Sequence, residues 1–246
     1  MISDRRVGLG ERCVQRAHAF TYVAYVKYRL HFIDVNTHTL RMKKNPARRS
    51  RAEMMEGTRA KLIAAARKAF SEHGFAEASM DVFTADVGLT RGALYHNFGD
   101  KKGLLAAVVA EVDSEMAARA QAAAAATHPE RLWDQLVAEG VAYIELALDL
   151  EIQRIVLLDG PAYLGDPSQW PSQNACLEAT ASKLRQLMDE GIVKEMDVEA
   201  ASRLINGAAL NAALWVAASD KPLEVLPKAV DALRHLMSGF LNGREA

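Results

Sequence analysis

Thr90, Arg91, Tyr95 and His96 crowd into one short stretch, interleaved with Gly92 and Ala93, and Lys101 and Lys102 follow within two helical turns. None of these residues is spaced for nucleophilic attack or metal ligation. What they can do together is non-covalent: donate hydrogen bonds and place positive charge against a polyanion. The Arg91 guanidinium can pair with guanine O6 and N7, or equally with a phosphate. Gly92 and Ala93 have too little bulk to hold a helix backbone away from a groove. Lys101 and Lys102 fall in the first turn of a helix that Asp100 is placed to cap. Cations there oppose the helix dipole, a conflict that a phosphate lying against the free N–H groups would resolve.

Such residues need a scaffold that turns them outward, and the flanking sequence supplies one. Gly88 can take the left-handed conformation that ends a preceding helix. Thr90 can then cap a short helix through its hydroxyl. On that helix Leu94 and Phe98 lie four residues apart on one side, leaving Thr90, Arg91, Ala93, Tyr95 and His96 to point elsewhere. Upstream, Leu62, Ala66, Ala69, Phe70 and His73 repeat at helical spacing from Thr58 onward. Gly74 ends that helix, and Phe75 is able to fold back beyond the cap. Ser79 is positioned to cap a second short helix with Asp81 in its first turn and Met80, Phe83 and Val87 on one face. Three short helices sharing apolar faces present the third outward, as a helix-turn-helix does.

Charge follows the same division. The chain of 246 residues has a formal net charge of −1, yet residues 1–102 carry 19 Lys and Arg against 10 Asp and Glu, and residues 103–246 carry 11 against 21. A basic first part and an acidic remainder suit a polyanion-binding head on a body that avoids the polyanion. Ala- and Leu-rich composition with few β-branched residues favours an all-helical protein. Cys13 and Cys176 are far apart, with no metal-type spacing, as in a reducing compartment. There is neither a run of about 18 apolar residues nor a signal-peptide pattern, so a cytoplasmic protein without a membrane partner is expected. No Gly-x-Ser-x-Gly, His-Glu-x-x-His, phosphate-cradling Gly-rich loop or Cys/His cluster is present, and neither enzyme activity, a cofactor nor a metal is expected.

Outside the head, residues 1–50 show no sustained period, and Lys43, Lys44, Arg48, Arg49 and Arg51 close them as a basic run. A long helix is expected from about Lys101 to Ala126, broken at His128-Pro129. A second follows to about Leu150 and a shorter one from Ile152 to Leu158. A breaker-rich loop occupies Tyr163 to Pro167, and a helix runs from Ser168 to Gly191. Two long helices close the chain. In the first, Leu204, Ala208, Asn211 and Trp215 share a stripe beside Ile205, Ala209, Ala212 and Val216. In the second, Leu226, Val230, Leu233, Met237 and Phe240 share one. Apolar on more than one face, these two helices suggest a four-helix dimer seam. Asn211 on such a stripe suggests a buried amide that needs a partner.

Thr58 to Leu105 resembles the DNA-binding domain of the tetracycline-repressor (TetR) family of bacterial transcriptional regulators. The likeness is carried by Ala65-Ala66, Ala69-Phe70, Gly74-Phe75, Ser79-Met80, Gly88 through Tyr95, Phe98, Asp100-Lys101 and Leu104-Leu105. Thr84, Val87 and Asn97 depart from residues common there. The resemblance implies a homodimer that sets one short helix from each subunit into successive major grooves of a palindromic operator. The DNA-facing set is then Ser79, Thr90, Arg91, Gly92, Ala93, Tyr95, His96 and Lys101, with Tyr95 and His96 at phosphate-contacting positions. It further implies an N-terminal extension (1–50, expected to be poorly ordered), a helix-turn-helix domain (51–105) and a helical ligand-binding and dimerisation domain (106–246). A small-molecule inducer would lie between helices of the last, near Trp133, Tyr143, Leu158, Tyr163, Trp170, Asn174, Leu177 and Asn211. The expected function is a ligand-responsive repressor. Two rivals stay open: a constitutive or activating DNA-bound dimer, and a helical small-molecule-binding or interaction protein whose DNA head is non-functional.

Overall fold

A computed structural model of the chain describes residues 51–128 and 130–243, so the expectation for residues 1–50 lies outside the described residues. The described residues are mostly helical and hold no β-strand, only an isolated antiparallel bridge between Val193 and Leu241. Helix α1 (Arg51–Glu77) buries Leu62, Ala66 and Phe70, a strict four-residue stripe, and His73 at its end stays exposed. Gly74, at φ 77°, interrupts α1 where the sequence places the stop, a conformation that a Cβ would strain. Phe75 does fold back, its ring centroid 5.5 Å from that of Phe70.

Helices α2 (Met80–Asp86) and α3 (Arg91–Phe98) follow, joined through Gly88 at φ 68°. Phe83 of α2 and Leu94 of α3 close the small core over Phe70. The Thr90 hydroxyl accepts from the Ala93 N–H at 3.3 Å, and Asp100 accepts from Gly103 at 2.6 Å, so both expected caps are present. Ser79 differs. It stands at the N-cap of α2, but its side chain makes no capping bond.

Helix α4 (Lys101–Thr127) runs from the head deep into the body, and the expected division at residue 105 falls inside it. Its buried stripe of Leu104, Leu105, Val108, Val109, Val112 and Met116 packs on both parts. Helix α5 (Leu132–Glu145) lies along α4. Where a helix ending at Leu158 is expected, the chain instead forms a short α6 (Leu150–Ile152), a π-helical segment (Gln153–Asp159) and α7 (Gly160–Leu164). Pro161 sits at the start of α7, where its missing N–H costs nothing, so the Gly-Pro pair does not stop the helix. Helices α8 (Pro171–Asp189), α9 (Val198–Ala218) and α10 (Pro222–Ser238) complete the body. Ile205, Ala209, Ala213 and Val216 of α9 and Ala229, Leu233 and Met237 of α10 are buried.

Candidate nucleic-acid interface and interior cavity

The small core fixes which residues of α3 meet solvent. Leu94 points inward with no exposure, and Phe98 lies partly buried under the Arg59 guanidinium, 4.5 Å from its ring centroid. Thr90, Arg91, Gly92, Tyr95 and His96 are exposed, and Ala93 is half-buried against the core. Tyr95 is 48% exposed, so its ring is not part of the head core. Arg91 is steered by Asp81 of α2, its Nε 3.3 Å from the carboxylate. Both groups are exposed, and such a pair is worth less than about 1 kcal/mol, little enough for the guanidinium to exchange partners. Ser79, exposed with its hydroxyl unspent on capping, stands near the start of α2 on the other side of the turn.

Lys101 is placed otherwise than the dipole argument expected. Its ammonium donates to the carbonyls of Phe75 and Ala76 and lies 4.7 Å from the Phe75 ring centroid. The conflict with the start of α4 is resolved by the carbonyl end of α1, where a cation is favoured. Burial lowers its pKa from the usual lysine value. Lys102 is exposed beside it.

Charged contacts tie the head to the body. Arg67 on α1 donates to Glu151 through Nε and Nη2, at 2.8 Å each, and to Glu115 of α4 at 2.8 and 2.7 Å. Glu111 stands 3.2 Å away. Glu151 and Glu115 raise the Arg67 pKa, the Glu151 hydrogen bond most. The Phe75 N–H donates to Asp159, the last residue of the π segment, at 2.7 Å. Tyr163 stacks on Phe75 with centroids 4.4 Å apart.

In the body, α4, α5, α8 and α9 line a partly open cavity of about 50 Å³. Ala117, Ala120, Leu136, Ile205 and Ala209 form its apolar wall, and Glu139, Tyr143, Gln173, Cys176, Thr180 and Asn206 its polar one. A cavity of about 150 Å³ holds benzene, so a ring-sized ligand here requires the helices to part. Thr180 donates to Asn206 at 2.9 Å, and Lys183 is ion-paired with Glu139. Asp113, one turn before Ala117, is buried and accepts from Gln173 at 3.0 Å through Oδ2. Its Oδ1 and the Tyr143 hydroxyl have no hydrogen-bond partner in the chain. Burial, then Asp113, raises the Tyr143 pKa, and burial raises that of Asp113 itself. The Cys176 thiol is pushed up to about 11 by burial and by the charges of Asp113 and Glu139.

Of the eight residues expected near a ligand, Tyr143 lines this cavity. Trp133 borders two surface clefts near the ends of α5 and α8. Leu158 and Leu177 are half-buried, and Trp170 packs on Gly160. Tyr163 belongs to the head–body contact, and Asn174 is exposed. Asn211 finds no cover within the chain: it is exposed, on the face of α9 that also carries Leu204 (67% exposed) and Trp215 (51%). The stripe is apolar, but it faces out of the chain. The polar wall residues missed from sequence lie at 139 on α5, at 173, 176 and 180 on α8 and at 206 on α9, and left no local signal. Among the described residues no cluster of three His, Cys, Asp or Glu is placed to hold a metal, and no helix is long and apolar enough to cross a membrane.

Two family models match. The one described as bacterial regulatory proteins of the tetR family covers residues 62–108, and the tetracyclin repressor-like C-terminal domain covers 133–240. A crystal structure of a TetR-family transcriptional regulator from Pectobacterium atrosepticum is 48% identical, covering 78% of this chain and 98% of that one, with a TM-score of 0.71. SmeT, the repressor of the Stenotrophomonas maltophilia multidrug efflux pump SmeDEF, has the same fold at 21% identity and a TM-score of 0.57, covering 77% and 93%. The transcriptional repressor AcnR of Corynebacterium glutamicum is 38% identical over 68 residues, or 28% of this chain. That match spans about a third (32%) of AcnR.

Proposed function

The chain belongs to the TetR family of bacterial transcriptional regulators, and from that premise we propose that it is a cytoplasmic, ligand-responsive repressor that binds a palindromic operator as a homodimer. The observation that carries this reading is the outward face of α3. Thr90, Arg91, Tyr95 and His96 are exposed on one short helix while Leu94 anchors it from behind. In the groove Arg91 leaves Asp81 to read a base edge, and Thr90, Tyr95, His96 and Ser79 donate to phosphates that fix the register. Gly92 and Ala93 allow the close approach. The backbone N–H of Lys101 at the start of α4 faces the phosphates, and its ammonium braces α1 against α4 in support. Residues 51–105 serve as the DNA head and 106–246 as the ligand and dimer body. Leu204, Asn211 and Trp215 of α9, with Leu236 of α10, meet their copies across the twofold axis.

Ligand control follows from linkage. α4 lines the cavity at Ala117 and Ala120 and carries the head contacts at Glu111, Glu115 and Lys101. A ligand that parts α4 from α5, α8 and α9 swings the recognition helices off groove spacing. It weakens DNA binding by the same factor by which DNA weakens the ligand, typically about 1–3 kcal/mol. AcnR, 38% identical over 68 residues, is named a repressor, which favours repression over a constitutive or activating role.

Fluorescence anisotropy of the full chain with duplexes tiled across the region upstream of its own gene tests the reading. One tile binds specifically, and its affinity falls steeply with salt, by a log–log slope of about −0.9 per phosphate contacted. Uniform weak binding to every tile, or none at low salt, overturns it.

A further inference from the structure

Behind the cavity wall, one turn before the lining residue Ala117 and bonded to the lining residue Gln173, lies a buried carboxyl group with one oxygen unanswered. Asp113 is 1% exposed, its Oδ2 takes the Gln173 amide, and its Oδ1 has no partner. The Tyr143 hydroxyl, on the cavity wall, is likewise unpartnered. Buried polar atoms left in this state cost free energy and are rare. The other polar wall residues do not answer them: Thr180 and Asn206 bond each other, and Glu139 is paired with Lys183. What remains is a small, largely apolar cavity with the Tyr143 hydroxyl on its wall and, just behind that wall, the unpartnered Oδ1 of Asp113.

We propose that the effector site in this cavity takes a small organic cation, an amine on a compact apolar body, with Asp113 as its counter-ion and Tyr143 as a second polar contact. The inference rests on the ligand-responsive reading above and narrows it to a class of ligand. A protonated amine donates to the free Oδ1 and neutralises the buried charge in one contact, which a neutral alcohol does only in part. An anion meets Asp113 and Glu139, whose negative charges add to burial in pushing the Cys176 thiol up to about 11. The Tyr143 oxygen accepts a second N–H of the ammonium. Ala117, Ala120 and Ala209, small on three sides, leave room for a short aliphatic chain or one ring once the helices part.

The test uses the full-length protein and six probes: butylamine, butanol and butyrate, then benzylamine, benzyl alcohol and benzoate. Calorimetric titration gives affinities, and operator anisotropy with each probe gives the effect on DNA. At least one amine is expected to bind about tenfold or more tighter than its alcohol, the worth of one hydrogen bond to a charged group, with its carboxylate weakest. Asp113→Asn removes that preference while alcohol binding persists, and Tyr143→Phe weakens amine binding several-fold. The comparison within the wild type stands even if a variant fails to fold. Amines no tighter than their alcohols, an amine preference that survives Asp113→Asn, or no binding by any probe overturns the cation site. If alcohols or carboxylates bind and release DNA while amines do not, the cation class falls and ligand control stands. If amines bind through Asp113 without changing DNA affinity, the site stands and the regulatory reading falls.

Discussion

The head and the body solve opposite packing problems. In the head, Phe70 packs edge-on against both Phe75 and Phe83, with centroids 5.5 and 6.0 Å away, and Leu62, Ala66 and Leu94 close the rest without exposure. Its DNA-facing polar side chains are exposed, and the buried Thr84 hydroxyl is satisfied locally by the Met80 carbonyl of its own helix. In the body the order inverts. The core is interrupted by Asp113, Tyr143 and the polar cavity wall, and the outer face of α9 carries Leu204 and Trp215 in the open. A rigid head presents a fixed surface to a partner of regular shape. A body with polar groups inside and apolar groups outside is built to be completed by something else, in its interior and along its seam.

The sharpest way to break that contrast is to loosen the head. Phe70→Ala removes the ring around which its three helices meet and is expected to cost about 3–5 kcal/mol, read as a lower urea midpoint. A loss below about 1 kcal/mol would mean that the head is not the tight unit described. Next comes the seam. Trp215→Glu places like charges across the twofold and removes a large apolar anchor. A loss of about 2 kcal/mol or more of dimer free energy is expected, seen as a shift toward monomer in sedimentation equilibrium with the helical content unchanged. A dimer of undiminished strength would move the seam elsewhere.

The smallest effect is the most diagnostic, because two carboxylates on α4 titrate in opposite senses. Burial raises the Asp113 pKa, so its penalty is full above the folded value and fades as pH falls toward the unfolded value of about 3.9. Asp113→Asn is therefore expected to stabilise the protein at pH 7, with the gain shrinking on acidification. The Arg67 hydrogen bond lowers the Glu115 pKa, so its contribution is present above the unfolded value of about 4.3 and is lost as pH falls through the folded one. The deficit of Arg67→Met is expected to hold down to about pH 4.3 and to shrink below it. Thermal melts from pH 7 to 3 read both differences. Parallel curves for the two variants would remove the distinction between a buried interior charge and a head–body tether.

The same contrast decides what was legible beforehand. Helix stops at Gly74 and Gly88, caps at Thr90 and Asp100 and the inward pair Leu94 and Phe98 are local rules acting within a few residues. They locate α3 and its outward face directly. Ser79 shows where a local rule stops short: a residue of the right type at the N-cap position can leave its hydroxyl unbonded. In the body the stripes located the helices, but a stripe does not say which neighbour covers it. Asn211 is exposed because its stripe faces away from the chain, and the parallel stripe through Ile205 and Val216 fills the core. The cavity draws its wall from four helices between residues 117 and 209, so no single window of sequence outlines it. Lys101 was placed correctly in sequence, but its ammonium turns to the end of α1, a contact 26 residues away.

The central claim is that exposed α3 faces, paired by the seam, grip a duplex. Sedimentation of the full chain with a fluorescent operator duplex at two salt concentrations tests it most directly. Two protomers, or a multiple of two, should travel with each duplex at low salt and dissociate at high salt. Arg91→Ala should weaken the complex by about 1–3 kcal/mol while the free protein remains dimeric. A single protomer per duplex, or an Arg91→Ala protein that binds as tightly as the wild type, would contradict the account.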